Sequence, residues 1–465
     1  MSATKILPAL AAALLATGCS LMPKYERPAP PVPQAFPYPS AHEGAAAAAL
    51  PWERFFTDAP LRALVARALA NNRDLRIAVL NIAQARAQYD IRNADRFPTI
   101  GATASAQRAP NTQGHEANTF AAGIALSSWE IDFFGRIASL SEAALAQYLA
   151  TEEGRKAAQI TLVASVANTW LNVVADDELL RLTRETLGTR EESLRLTRLR
   201  YENGASSELD FRQAQSLAES ARVTLAQLQR QRATDINALR LLVGSDVPAD
   251  FDPKATTASV TLPDVPAGLP SDVLVRRPDV RQAEQQLIAA NANIGAARAA
   301  FFPRISLTAA VGTASSELSG LFKGGSWGFT VAPSLFQTIF DAGRNRAGLA
   351  SAEATRDIAV AQYERAIQQA FRDVADALAG RAFFDDQLAA QAKVVEAESV
   401  RYRLAKLRYD NGVASYLDLL DAQRSLFAAQ QALVQARLAR LQNQVALYRS
   451  LGGGWTEPGT PVGQR

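Results

Sequence analysis

The chain has 465 residues, one cysteine, and 49 lysines and arginines against 46 aspartates and glutamates, for a net charge of +3. With 20% charged residues and no basic tract, it offers nothing for a nucleic-acid partner. No unbroken run of 18 apolar residues occurs, which argues against ordinary membrane-crossing helices but leaves membrane β-strands open, because their hydropathy signal is weak.

Residues 1–18 read as a secretory signal, with Lys5, an apolar stretch from Ile6 to Ala16, and small residues before Cys19. A lone thiol in an exported chain calls for a purpose. Ala16-Thr17-Gly18-Cys19 resembles a bacterial lipobox, although the usual leucine is displaced to Leu15 and Ala16 takes its place. Cys19 is therefore the expected lipidation site, and Ser20 after it implies outer-membrane sorting by analogy with bacterial lipoproteins. Residues 19–60 form a lipid-anchored N-terminal tether, Pro-rich between Pro28 and Pro39 and so extended.

Beyond the tether the chain repeats itself. Arg200-Tyr201-Glu202-Asn203-Gly204 and Leu209-Asp210 return 208 positions later as Arg408-Tyr409-Asp410-Asn411-Gly412 and Leu417-Asp418. Phe97-Pro98 returns as Phe302-Pro303, and Gly135-Arg136 as Gly343-Arg344. A period this long is a duplicated domain-sized unit rather than a solenoid. We take residues 61–260 as the first structural repeat, 261–452 as the second, and 453–465 as a C-terminal tail.

In chain order, a short amphipathic segment over Leu61–Ala70 precedes a helix from Asp74 to Ala94, with Leu75, Val79, Ile82 and Ala85 on one face. At Phe97-Pro98 the period changes to two. Ile100, Ala102, Ala104 and Ala106 alternate with Thr99, Gly101, Thr103 and Ser105; Phe120, Ala122, Ile124 and Leu126 alternate with small residues. This is a strand hairpin over about 98–132, with a loop from Arg108 to Asn118. The second half repeats it over about 303–341, with Ile305, Leu307, Ala309 and Val311, then Trp327, Phe329 and Val331. Proline is absent between Pro110 and Pro248 and between Pro333 and Pro458, and the 70 residues from Gly135 to Gly204 would span about 100 Å as one helix. The last helix carries three rows at heptad spacing: Leu419, Leu426, Leu433 and Leu447; Leu420, Phe427, Val434 and Leu441; Ala422, Ala429 and Ala436. Such a helix packs between two neighbours.

Four strands leave exposed edges and nowhere dry for an apolar face. Closed membrane barrels need about eight strands or more, which three copies of this chain exceed. A soluble sheet capped by helices is the other solution. Asn203-Gly204 and Asn411-Gly412 are turn signals for reversing the long helices. Leu417 and Asp421, four apart, share a helix face beside the second turn.

These pieces resemble the outer membrane factor family, the exit ducts of tripartite efflux pumps and type I secretion systems. The resemblance is closest to the lipoproteins that serve resistance-nodulation-division drug pumps. It rests on Cys19-Ser20-Leu21-Met22-Pro23-Lys24-Tyr25-x-Arg27-Pro28, Leu269-Pro270-Ser271-Asp272-x-Leu274-x-Arg276-Arg277-Pro278-Asp279-Val280, Phe301-Phe302-Pro303 and Leu417-x-Leu419-Leu420-Asp421-Ala422-Gln423-Arg424. The resemblance implies a mainly α chain with a membrane β-barrel. In a homotrimer, four strands per chain would make a 12-stranded β-barrel continued by a long periplasmic α-helical barrel. It also implies a mixed α/β belt from residues between the tether and Asn72, from Ser245 to Leu274, and from the C-terminal tail. Asp210, Leu417, Asp418 and Asp421 would form a periplasmic gate, with Asp210 and Asp418 hydrogen-bonded to neighbouring helices. The turns at Tyr201, Asn203, Gly204, Tyr409, Asn411 and Gly412 would dock a periplasmic adaptor (membrane fusion) protein, with an inner-membrane resistance-nodulation-division transporter beyond it. The first repeat has Gln213 where the second has Asp421, so the halves contribute unequally.

Two histidines, His42 and His115, and one cysteine make no metal cluster, and no phosphate-binding loop or catalytic triad can be assembled, so neither an enzyme nor a cofactor is expected. Three functions compete: the exit duct of a drug efflux pump, the exit duct of a type I protein secretion system, and a periplasmic scaffold lipoprotein without a pore.

Overall fold

The computed structural model describes residues 20–38, 50–110, 114, 116–248, 251–265 and 276–455. Cys19, the signal segment and both histidines lie outside the described residues. In order, the elements are α1 (Trp52–Phe55), α2 (Ala59–Asn71), α3 (Arg73–Ala94), β1 (Ile100–Pro110), β2 (Glu116–Glu130), α4 (Arg136–Glu202) and α5 (Glu208–Val243). There follow α6 (Pro278–Ala299), β3 (Arg304–Ser315), β4 (Trp327–Phe336), α7 (Arg344–Asp410) and α8 (Tyr416–Ser450). The series α3-β1-β2-α4-α5 thus recurs as α6-β3-β4-α7-α8, and α4 and α7 have 67 residues each. The chain divides into two compact units, and each gathers equivalent segments from both halves: residues 80–153 with 281–365 and the N-terminal strap, and residues 30–79 with 154–280 and 366–465.

The first unit holds one antiparallel sheet in the order β1-β2-β3-β4. Its register puts Ile100 opposite Leu126, Ile124 opposite Val311, and Val311 opposite Phe329, so the bulky apolar residues of all four strands share one face. The other face is Gly101, Thr103 and Ser105 beside Ala121, Gly123 and Ala125, then Ala310, Gly312, Gly328 and Thr330. The register shifts between Leu126 and Trp129, where Ser128 adopts φ +45°. This bulge returns Trp129 to the apolar face, opposite Leu307, where a one-residue slip would have reversed it. Gly123 and Gly312 face each other, and a Cβ on Gly312 would stand 2.4 Å from the Ala122 carbonyl oxygen. The apolar face is bare: Phe329 is 80% exposed. Both hairpins were legible in the sequence, but the first loop is tighter than expected, since β1 runs to Pro110 and β2 starts at Glu116, with Arg108 paired to Glu116 across the end.

The second unit is held by a core where α2, α4, α5 and α8 meet: Leu61, Leu64 and Val65, Val166, Trp170 and Val174, Leu239 and Val243, Leu441 and Val445. Asp58 caps α2 by accepting from the Leu61 amide at 3.1 Å. Phe55 stacks on Tyr448 with centroids 3.9 Å apart, and the Tyr448 hydroxyl donates to the Leu50 carbonyl at 2.6 Å. Although no unbroken 18-residue apolar run exists, α4 contains a stretch apolar enough to cross a membrane, and 56% of that stretch is buried inside the chain, as befits a core helix. On α8 the rows Leu420, Phe427, Val434, Leu441 and Ala422, Ala429, Ala436 are buried, whereas Leu426 and Leu433 are half-buried.

Two expectations need correction. No residue of α3 is fully buried: Leu75 is half-buried against the second unit's core, whereas Val79 further along the apolar stripe is exposed. Among the described residues the segment 245–265 contains no strand, so the belt has no β component there. Pro248, Pro253 and Pro263 explain this, since each lacks the N–H that a ladder needs. The rest of the expected belt, 266–274 and 456–465, lies outside the described residues.

Candidate channel and gate

The two helix reversals are built alike. At the first, the Gly204 amide donates to the Tyr201 carbonyl at 2.9 Å and the Ala205 amide to the Arg200 carbonyl at 2.7 Å, the paired bonds of a Schellman ending. At the second, Gly412 donates to Tyr409 and Val413 to Arg408, both at 2.9 Å. The glycines take φ +72° and +71°, which side chains resist. Asn203 and Asn411 each turn their side-chain amide back onto a carbonyl of the preceding helix, Leu199 and Leu407, at 2.7 Å. Tyr201 stacks on Phe211 at 5.6 Å and Tyr409 tilts against Tyr416 at 5.4 Å, so each reversal has an aromatic clasp. The clasps are joined, because Arg200 donates to the Tyr409 hydroxyl at 2.7 Å. Burial raises the pKa of that hydroxyl above its ordinary value.

Each returning helix opens with a capping box, which the Asn-Gly turn signals overshadowed. The Asp210 amide donates to Ser207 Oγ at 3.1 Å while Asp210 Oδ2 accepts from the Ser207 amide at 3.3 Å. Asp418 and Ser415 repeat the arrangement at 3.3 and 3.2 Å, and the Ser415 hydroxyl adds a bond to Asp418 Oδ2 at 2.8 Å. The pattern Ser-x-x-Asp was the signal available for both. Within the chain, then, Asp210 and Asp418 do not bond to neighbouring helices as expected; their carboxylates serve the N-termini of their own helices.

Asp421 differs from both. It pairs with Arg401 across the α7–α8 hairpin, and Arg424 stands 3.8 Å away. Arg401 also reaches Glu398 at 3.1 Å and Ser425 at 3.2 Å. At the equivalent places in the first half stand Ser193 and Gln213, so that hairpin has no such ion pair. Leu417 shares the Asp421 face and is 53% exposed. Leu209, its counterpart, is also exposed. Each reversal therefore presents one bare leucine beside a capped, acidic helix start.

The outer membrane efflux protein family profile matches residues 64–245 and 269–453. The chain belongs to that family. Efflux proteins of Pseudomonas putida are similar along nearly its whole length. The antibiotic efflux pump outer membrane protein ArpC and the toluene efflux pump outer membrane protein TtgC are each 47% identical over 98% of this chain and 96% of theirs. Among solved structures, the open state of the Neisseria gonorrhoeae MtrE outer membrane channel is 40% identical with a TM-score of 0.87, covering 94% of this chain and 98% of that one. The fold is accordingly that of an outer membrane efflux channel subunit, and the protein resides in the outer membrane.

Within this efflux protein, two of the quoted motifs have structural work. Tyr25 and Arg27 grip Glu284 of α6: the Tyr25 hydroxyl donates at 3.0 Å, and the Arg27 Nε and Nη2 groups donate at 2.6 and 2.9 Å. Asn291 holds the Pro23 carbonyl at 2.8 Å, so the segment after Cys19 is strapped along α6. Arg277 is buried and forks onto Asp279 at 3.0 and 2.6 Å while donating to the Ser450 carbonyl at 3.0 Å. Burial works against its charge, and Asp279 and Asp373 together more than offset it. Pro278 then starts α6 at the position where a missing N–H is harmless.

Proposed function

We propose that the protein is the outer membrane exit duct of a tripartite drug efflux pump and works as a homotrimer. What supports this most is the sheet: four antiparallel strands, a bulky apolar face, a face of Gly, Ala, Ser and Thr, and two unpaired edges. Three copies joining β1 of one to β4 of the next would close twelve strands, with the apolar face toward lipid and the small face toward a water-filled pore. Acylation of Cys19 would add a second hold on the membrane.

The helix reversals would form the periplasmic mouth. Under threefold symmetry Leu417 would make an apolar ring that blocks by dewetting, and Asp421, braced by Arg401 while the mouth is closed, would make an acidic ring that disfavours anions once it is freed. Asp210 and Asp418 would act less directly, by fixing the first turns of α5 and α8 on which that mouth is built. A periplasmic adaptor would dock at Tyr201, Asn203, Gly204 and at Tyr409, Asn411, Gly412, and would link the duct to an inner-membrane resistance-nodulation-division transporter. Opening would part the Arg401–Asp421 brace. The cargo is taken to be small apolar or amphipathic toxins, in keeping with the antibiotic and toluene pumps of its relatives.

A deletion strain tests the cargo. Sensitivity to antibiotics and toluene with an unchanged set of secreted proteins supports the drug duct. Loss of a secreted polypeptide with unchanged susceptibility would assign the chain to protein secretion instead.

A further inference from the structure

Among the described residues, the small face of the sheet carries two charged side chains, Glu130 and Arg304. The register fixes their side. Glu130 stands opposite Ser306, and Arg304 is in step with Ser306, Thr308, Ala310 and Gly312 along β3. Both sit at the end of the sheet that joins the helices, where α4 begins and α6 ends. The rest of that face, from Gly101 and Thr103 to Thr330 and Ser334, is uncharged.

The two charges are unequally placed. The Glu130 side chain is 17% exposed, and it receives both arms of the Arg136 fork at 2.8 and 2.6 Å. The Arg304 side chain is 58% exposed, and its Nε stands 3.6 Å from the Glu130 carboxylate, beyond a hydrogen bond. Both line a cavity of about 290 Å³ whose other acids are engaged as well. Asp132 accepts from the Ala138 amide at 2.7 Å in the first turn of α4. Asp341 accepts from the Gly343 and Asn345 amides at 2.9 Å each, beside Arg344 at the start of α7. The charge on the small face that meets open space is therefore the Arg304 guanidinium. β3 is an inner strand with β2 and β4 of the same chain on either side, so copies joined at the sheet edges do not cover it.

We propose that Arg304 sets the ion preference of the barrel: three copies place a ring of guanidiniums in its lumen, and the ring favours anions. It depends on the proposed closure of three sheets with the small face inward. Arginine keeps its charge throughout the physiological pH range, so this preference does not titrate. Cargo bearing a carboxylate meets an attractive collar in an otherwise neutral wall, because a guanidinium fork matches a carboxylate. The sign is opposite to that of the acidic ring proposed at the mouth.

Single-channel recording of the full, acylated protein in a planar bilayer tests it, through the reversal potential of open-channel current under a potassium chloride gradient. Arg304→Gln should raise the cation-to-anion permeability ratio roughly twofold over the wild type, and Arg304→Glu should raise it further. The difference between variants is what counts, since the mouth adds its own bias to all of them. Arg304→Lys keeps the charge without the fork and should retain the wild-type ratio. The screening length is about 30 Å at about 0.01 M salt and about 3 Å at about 1 M, so the difference should be large at the lower concentration and fade at the higher. A wild-type ratio in Arg304→Gln would overturn the proposal. So would a shift in Arg304→Lys as large as that in Arg304→Gln, or a shift undiminished at high salt. A conducting wild type with any of these results removes the collar alone, whereas a silent bilayer removes the pore on which the collar stands.

Discussion

Replacing Gly412 by alanine and by asparagine separates the turn's local geometry from its proposed docking role. Gly412 sits at φ +71°, and a Cβ built on it meets nothing within 4 Å. The intrachain cost of a side chain is therefore conformational only. For alanine in the left-handed region that cost is about 1–2 kcal/mol, and asparagine, whose amide bonds locally, loses less. Neither is enough to unfold helices anchored by the second unit's core. Both variants should keep a heat-resistant trimer in detergent, with alanine showing the lower melting temperature. Binding to the immobilised cognate adaptor, followed by interferometry, should order them differently. An added side chain stands in the way in both, so both should bind at least about tenfold more weakly, a loss of about 1.4 kcal/mol. Wild-type affinity in Gly412→Asn would refute docking through the bare turn and leave Gly412 a hairpin closure alone.

Ser415→Ala removes the cap of α8 and should cost about 1 kcal/mol in that helix's first turn; planar-bilayer recordings should show raised closed-state conductance, and an unchanged closed level would count against a gate built on that turn. Gly312→Val drives a side chain into the Ala122 carbonyl, 2.4 Å from its Cβ, so heat-resistant trimers on gels should be lost while far-ultraviolet helicity stays. Asp176 is pushed up from 3.8 to about 8, first by burial and then by its hydrogen bond to Asp235. Between those values the folded chain holds a proton at Asp176 that the unfolded chain has released, so the contribution of Asp176 to stability is greatest below about 4, falls as pH rises, and levels off above about 8. Asp176→Asn should flatten that slope in melts taken across the range; an equal slope in the variant would show the titration to lie elsewhere.

The parts of this fold that the sequence made legible are those with a strong period. Ile100 to Ala106 and Trp327 to Val331 alternate because one side of the sheet is apolar, and the alternation survives in the observed register. The 67-residue helices follow from an absence of proline, and the reversals from Asn-Gly. What the sequence concealed depends on partners far along the chain. Nothing in the spacing of Arg401 and Asp421 marks them as a pair, nor Arg200 and Tyr409, because each pairing exists only once two helices lie side by side. Asp210 and Asp418 stand out in the sequence as acids beside the turns, yet their hydrogen bonds reach only three or four residues back. The α3 stripe is real as a pattern, yet within one chain Leu75 packs against the core while Val79 stays exposed.

The proposal that three chains close one pore is tested most directly by native mass spectrometry of the detergent-purified, acylated protein, joined to single-channel recording of the same sample. The account predicts a mass of three chains of about 50 kDa each, with ion conductance on insertion into a lipid bilayer. A monomer that leaves the bilayer silent would contradict it.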